Sequence, residues 1–173
     1  MISYDTPYRV CYADTDRMGV VYYGNYPRLY EIGRTDMIRT IWKSYREVED
    51  SGIFLPVRLL HSIYHKPALY DELLTIRSII REIPKVKFRI VSEIYNEKME
   101  LINEGEVTLG FMDAATGKPR RAPQEFTDIL ERTGKFDTKS YPSRTQQDVA
   151  PFNITLEGNT VAETVTAVVH NEQ

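Results

Sequence analysis

The chain has 173 residues, 42% of them hydrophobic, enough for one globular domain with a sizeable core and crowded for two. Its 22 basic and 25 acidic residues are spread along the sequence and leave a net charge of −3, so no basic face for nucleic acid stands out. Cys11 is the single cysteine, which excludes an intramolecular disulfide and reads as a small core residue.

The opening M-I-S-Y-D-T-P-Y lacks the basic segment and apolar run of a secretory signal, and no later run approaches the ~18 apolar residues of a membrane span. The expectation is a cytoplasmic protein without a membrane partner. Residues 10–43 then read as a short strand, a turn carrying Asp14 and Asp16, and the longest helix of the chain. Tyr26, Leu29, Tyr30, Met37, Ile38, Ile41 and Trp42 recur at helical spacing with Gly33 between them, which places the helix over residues 25–43, about 28 Å long. Asn25 is the expected side-chain cap, and Pro27 fits the first turn, where its missing N–H leaves no bond unmade. A helix start carries roughly half a positive charge, so its free N–H groups favour an anion or a polarised carbonyl oxygen beside the acidic turn.

Ser44-Tyr45-Arg46-Glu47 fits a capping box, and Gly52 the end of a short second helix. Residues 54–65, 72–82, 85–95 and 100–113 are rich in Val, Ile, Leu, Phe and Thr and read as four strands. The breaks at 67–71, 83–84 and 96–98 are short, which favours antiparallel neighbours, and the order predicts a meander with one face covered by the helix. Residues 114–118 read as a turn and 123–133 as a short amphipathic helix closed by Gly134. Beyond Phe136 the composition turns to Lys, Ser, Pro, Thr and Gln, a loosely ordered tail, with 160–169 rich in β-branched residues. With no secretion expected, the Asn153-Ile154-Thr155 sequon is expected to be a chance match.

The segments Y-A-D-T-D-R-M-G-V-V-Y-Y-G-N-Y and Y-E-I-G-R-T-D-M-I-R, followed by L-P-V-R-L-L-H-S-I-Y-H-K-P-A-L-Y-D-E-L-L-T-I and E-G-E-V-T-L-G-F-M-D, resemble the 4-hydroxybenzoyl-CoA thioesterase family of hotdog-fold acyl-CoA thioesterases. The resemblance covers residues 4–130. It implies an α+β hotdog domain over 1–136, a long central helix wrapped by an antiparallel sheet, with 137–173 as a C-terminal tail, disordered or packed on a partner. It also implies a homodimer or homotetramer whose sheets join. The family's catalytic carboxylate is the second Asp of D-x-D, here Asp16. Seven positions on, Tyr23 supplies the backbone N–H that polarises the thioester carbonyl. Asp16 could act as nucleophile or as general base.

Beside these, Gly24, Asn25 and Tyr26 form the helix start, and Glu31 is a rival acid on the helix. Asp14 is expected to bond backbone N–H groups. Tyr12, Tyr22, Tyr23, Tyr26 and Tyr30 are expected mainly in the core, with one or two lining an acyl pocket. Coenzyme A carries three phosphates, so Lys85, Lys87, Lys118, Arg120 and Arg121 are candidates to hold them. No cofactor is implied, and His61, His65 and His170 lack ligand spacing around the acidic turn, so no metal is expected. The leading function is acyl-CoA hydrolysis; hydrolysis on acyl carrier protein and non-catalytic binding of an acyl thioester are the alternatives.

Overall fold

A computed structural model describes residues 1–135. The expected tail, including the segment 160–169 and the sequon, lies outside the described residues.

Strand β1 (Ile2–Arg9) leads into the acidic turn, and a 3-10 turn over Tyr23–Asn25 runs directly into helix α1 (Tyr26–Ile41). The first strand therefore lies before Val10, where the sequence reading had placed it after. Pro7 is tolerated within β1 because this strand is at the edge of the sheet. The remaining elements are α2 (Tyr45–Asp50), β2 (Ile53–Phe54), β3 (Val57–Tyr64), β4 (Leu73–Ile80), β5 (Lys87–Tyr95), β6 (Leu101–Gly110), β7 (Met112–Asp113) and α3 (Gln124–Thr133). The Ser44 capping box is present: Glu47 N–H donates to Ser44 Oγ at 3.3 Å and Ser44 N–H donates to Glu47 Oε2 at 2.8 Å. Two of the long strands expected from sequence are broken. Leu55-Pro56 separates β2 from β3, and Phe111 separates β6 from β7; the short pieces β2 and β7 pair with each other instead.

The main sheet is antiparallel with the order β1-β4-β5-β6-β3. Strands β4, β5 and β6 form the expected meander, but β3 lies beyond β6 and not beside β4. The link over residues 65–72 is thus a crossover along one end of the sheet and not a tight turn. It packs on the acidic turn as it passes: Val21 N–H donates to Ala68 O at 2.8 Å, Asp71 N–H to Val10 O at 3.1 Å, and Val20 bridges Leu69.

Helix α1 covers one face of this sheet. The row beneath its middle is Tyr4–Ser78–Ser92–Gly105–Ser62, assembled from five strands by register. Small residues there let the helix come close. A Cβ on Gly33 would lie 2.6 Å from Ile76 Cγ2, and one on Gly105 would lie 2.5 Å from the Tyr30 ring. Tyr30 is fully buried, and its hydroxyl bonds Ser62 Oγ at 2.5 Å and donates to Asn103 Oδ1. At the far end of α1, Trp42 stacks on Phe126 of α3 with ring centroids 4.5 Å apart, and Phe126 meets Phe88 and Phe111. These contacts close the core. Among the described residues no helix is long and apolar enough to cross a membrane.

Candidate active site

The site is built where β1 ends, the acidic turn reverses and α1 begins. Asp14 is buried, with 4% of its surface exposed. Its carboxylate accepts from Tyr8 Oη at 2.7 Å, from Cys11 N–H at 2.8 Å and from Arg28 Nη2. Its carbonyl accepts from Tyr22 N–H and from Asn25 Nδ2, each at 2.9 Å. The structural role expected of Asp14 is therefore observed, and its donors include side chains as well as the backbone. Asn25 does not cap the helix with its oxygen, as the sequence suggested. Its φ and ψ are already helical, because the 3-10 turn moves the start of the helix upstream, and its amide ties that start to Asp14.

Asp16 is half-buried two residues further on. Its N–H donates to Val20 O at 2.9 Å, and Gly19, at φ +78, returns the chain by donating its N–H to Asp16 O at 3.0 Å. This positive φ is the reason a glycine stands at the turn. Asp16 Oδ1 accepts from Met18 N–H at 2.8 Å, which fixes the carboxylate while Oδ2 keeps its lone pairs. Thr15 bridges Val21 across the turn, so Asp16 lies against the residues that immediately precede Tyr23.

Tyr23 opens the 3-10 turn. The N–H groups of Tyr23 and Gly24 have no backbone acceptor among the described residues, whereas Asn25 N–H donates to Tyr22 O at 2.9 Å. The Tyr23 carbonyl points the other way and accepts from Tyr64 Oη at 3.0 Å. Gly24 makes room for the Tyr22 ring, which a Cβ there would approach to 2.5 Å. Tyr22 and Tyr23 have ring centroids 4.5 Å apart. A hydrogen bond to Tyr23 raises the Tyr22 pKa, and the charge of Asp16 adds to that shift, which places the carboxylate within electrostatic reach of this ring.

The tyrosine set divides. Tyr26 and Tyr30 are buried, and burial pushes the Tyr26 pKa up to about 12. Tyr12, Tyr22 and Tyr23 are exposed, against expectation, because the acidic turn stands outside the layer of core covered by α1. Cys11 is exposed as well, for the same reason. Together with Met18, Leu69 and Tyr70 these tyrosines form an exposed apolar rim along the acidic turn and the crossover, in which Tyr12 and Tyr70 meet edge to face at 5.4 Å.

Glu31 is exposed, pairs with Arg34 at 3.6 Å, and lies roughly 12 Å along α1 from Tyr23. It is not brought to the acidic turn within one chain. The two basic groups do converge. Ala122 N–H donates to Lys85 O at 2.6 Å, Arg120 N–H to Phe111 O at 2.9 Å, and Phe111 N–H to Val86 O at 3.0 Å, so Lys85, Lys87, Lys118, Arg120 and Arg121 share one corner. That corner is at the opposite end of the sheet from the site. Lys87 pairs with Gly110, whereas Tyr64, which reaches Tyr23, pairs with Asn103, about 24 Å away along β6.

Sequence reasoning missed Tyr8, Arg28, Tyr64 and the crossover residues Ala68 and Leu69. Arg28 alone left a signal, as a cation in the first turn of a helix, where the dipole disfavours one. Among the described residues no group of three His, Cys, Asp or Glu side chains could hold a metal ion.

Residues 10–130 match the family model described as the thioesterase-like superfamily. The chain is 34% identical over 118 residues to the acyl-CoA thioester hydrolase YbgC of Escherichia coli O6:H1, covering 68% of this chain and 88% of that protein. It is 30% identical over 130 residues to the acyl-CoA thioesterase YbgC of Helicobacter pylori, covering 70% and 96%. Among solved structures, a DHNA-CoA thioesterase from Staphylococcus aureus superposes with a TM-score of 0.70 at 35% identity, covering 76% of this chain and 88% of that one. A second Staphylococcus aureus protein, solved in complex with CoA, superposes with a TM-score of 0.74 over 86% and 95% at 15% identity, a likeness of fold alone. The α+β hotdog fold expected from the sequence is the fold observed.

Proposed function

The chain belongs to the thioesterase-like superfamily, and from that premise we propose that it hydrolyses an acyl-CoA thioester to the free acid and coenzyme A. The observation that carries this reading is the juxtaposition at the start of α1: open N–H donors on Tyr23 and Gly24 beside the half-buried carboxylate of Asp16. Donors fixed at a helix start are suited to an oxygen that gains charge, and they need no reorganisation as the charge develops. The apolar rim of Tyr12, Met18, Tyr22, Leu69 and Tyr70 fits an acyl or aroyl group.

In this mechanism the thioester carbonyl oxygen accepts from Tyr23 N–H. Asp16 either takes a proton from water, whose oxygen then attacks the carbonyl carbon, or attacks with its own Oδ2 to form an anhydride that water opens. In both cases the C–S bond breaks, the thiolate of coenzyme A leaves, and it takes up a proton. Single turnover in labelled water separates the two routes. When water opens the anhydride at the Asp16 carbonyl, the first turnover leaves the label in Asp16 and releases an acid that carries an unlabelled Asp16 oxygen; the general-base route labels the acid, and not Asp16, from the first turnover.

The separation of the basic corner from the acidic turn favours a site shared by two copies. Strand β3 is an edge, with Val57 and Leu59 about half exposed, at 51% and 53%. Antiparallel pairing of β3 with a second β3 would set the Val57 end of one copy beside the Tyr64 end of the other. The partner's Lys118, Arg120, Arg121, Lys85 and Lys87 would then approach the mouth of this site, where phosphates of coenzyme A would meet them. A panel of acyl-CoA and acyl carrier protein thioesters, read by release of free thiol, tests the proposal. Turnover of acyl-CoA supports it. Turnover on the carrier protein alone moves the substrate to that carrier, and binding without turnover makes the protein an acyl-thioester binder.

A further inference from the structure

Asp14 joins β1, the entry to the turn and α1 through its side chain, and the residues flanking Tyr23 and Gly24 through its carbonyl. Its carboxylate gathers three elements: Tyr8 from β1, the Cys11 N–H from the entry to the turn, and Arg28 from α1. Its carbonyl holds Tyr22 N–H and Asn25 Nδ2, the residues on either side of Tyr23 and Gly24. Asp16 follows two residues later on the same turn. Asp14 thus ties the turn that carries Asp16 to the residues that flank Tyr23 and Gly24.

Arg28 is the unexpected member. A helix favours acidic side chains in its first turn, and a cation there opposes the dipole. Arg28 is nevertheless in that turn, 52% exposed, with its guanidinium turned onto a carboxylate that is 5% exposed. The same Nη2 also donates to Tyr8 Oη at 2.6 Å, and the guanidinium carbon stands 5.6 Å from the centre of the Tyr8 ring. Tyr8 Oη in turn donates to Asp14, so Arg28, Tyr8 and Asp14 close a three-membered ring of bonds joining strand, turn and helix. Burial, followed by the bond to Asp14, pushes the Tyr8 pKa up to about 12, so the hydroxyl remains a donor throughout the neutral range. A local preference is broken where the break secures a longer-range tie.

We infer that Arg28 and Tyr8 are positioning residues for the hydrolysis: through Asp14 they hold the Asp16 carboxylate and the Tyr23 N–H at the separation the reaction needs. This inference rests on the hydrolase reading above. Displacement of a reacting group by about 1 Å can cost roughly 100-fold in rate without weakening the substrate's remote contacts. The expected signature is therefore a fall in kcat with little change in KM.

The test compares Arg28→Ala, Arg28→Lys and Tyr8→Phe with wild type in the full-length protein. Arg77→Ala serves as control, because Arg77 makes a comparable pair with Asp5, at 2.7 and 2.8 Å, on the sheet face away from α1. Arg28→Ala should lose about 10–100-fold in kcat with KM within about threefold. Arg28→Lys should recover part of the loss, and added guanidinium at millimolar concentration should rescue Arg28→Ala and not Arg77→Ala. Tyr8→Phe, which removes one oxygen and keeps the ring, should show the same pattern more weakly. Independently of activity, hydrogen exchange at the Tyr22 and Asn25 amides, which donate to Asp14 O and Tyr22 O, should quicken in Arg28→Ala and Tyr8→Phe and stay unchanged in Arg77→Ala. Unchanged exchange at these amides, or a kcat loss that Arg77→Ala reproduces in proportion to lost thermal stability, overturns the inference. If the wild-type protein releases no thiol from any acyl-CoA, the hydrolase reading fails, and with it the catalytic purpose assigned to Arg28 and Tyr8; the exchange result still decides whether they hold the turn.

Discussion

Replacing Asp16 by Asn separates the chemistry from the scaffold. Among the described residues the carboxylate accepts one bond, from Met18 N–H at 2.8 Å, and the amide oxygen of Asn can keep it, so the turn should survive. Exchanging a charged for a neutral acceptor costs about 1 kcal/mol, small beside the stability of a domain of this size. The reaction loses much more. An amide cannot accept a proton from water at neutral pH or attack a carbonyl, and a positioned base is worth about 10²–10⁴ in rate. At about 1.36 kcal/mol per tenfold, the barrier should rise by about 3–5 kcal/mol. The donors at Tyr23 and Gly24 remain and should leave a residual rate. The assay is initial-rate release of free thiol from one good acyl-CoA, with kcat and KM resolved, alongside Glu31→Gln and Tyr23→Phe. Tyr23→Phe should be mild, because its proposed donor is the backbone N–H. Near wild-type kcat in Asp16→Asn together with collapse in Glu31→Gln would refute the assignment and move the chemistry onto the helix.

Asp14→Asn should behave oppositely to Asp16→Asn, losing about 1–3 kcal/mol of stability because amide hydrogens would face the donors of Tyr8, Cys11 and Arg28; chemical denaturation of the two variants side by side checks this. Removing Lys118, Arg120 and Arg121 together should raise KM for acyl-CoA more than it lowers kcat, the mark of uniform binding. Mixed dimers of that triple variant with Asp16→Asn should regain one complete site at wild-type KM, and a KM that stays high would place the basic corner with its own subunit. Gly105→Ala should destabilise by about 1–3 kcal/mol, since the new methyl would lie 2.5 Å from the Tyr30 ring; thermal unfolding measures it. Finally, burial raises the pKa values of Tyr8, Tyr26, Tyr30 and Tyr45 above the ordinary value of 10.0. A raised folded-state pKa favours the protonated form, so the corresponding stability is present below about pH 10 and is lost as pH rises towards 12. Denaturation midpoints across that range, with phenolate absorbance as a second probe, should fall together.

The parts of this molecule that local physics controls were readable from the residues alone. The spacing of Tyr26, Leu29, Tyr30, Met37 and Ile38 fixes the helix and its buried face, and Ser44 with Glu47 fixes the next one. The acidic turn and helix start were adjacent in sequence and remain adjacent in space. What was not legible depends on contacts between distant residues. The place of β3 beyond β6 has no local signature, since a connection of eight residues can turn tightly or cross a sheet end. The meeting of Lys85 with Ala122 is of the same kind, and so is the capture of Asn25 by Asp14 in place of a helix cap. The exposure of Tyr12, Tyr22, Tyr23 and Cys11 was hidden because aromatic and thiol side chains are ordinarily buried.

The pairing of β1 with β4 carries a consequence for how the site comes into being. Ile2 lies opposite Ile80, so β1 cannot find its neighbour until the ribosome has added nearly 80 further residues. At about 5–20 residues per second that interval lasts several seconds or longer. Throughout it Asp14 and Asp16 hang from an unpaired strand, and the crossover that seals their turn has no sheet end to run along. The residues that would do the chemistry thus leave the ribosome well before the strand that secures β1 beside them. A nascent chain stalled before Ile80 should accordingly hold α1 as a helical segment at most and release no thiol, whereas one that has passed Gly110 holds every strand of the sheet.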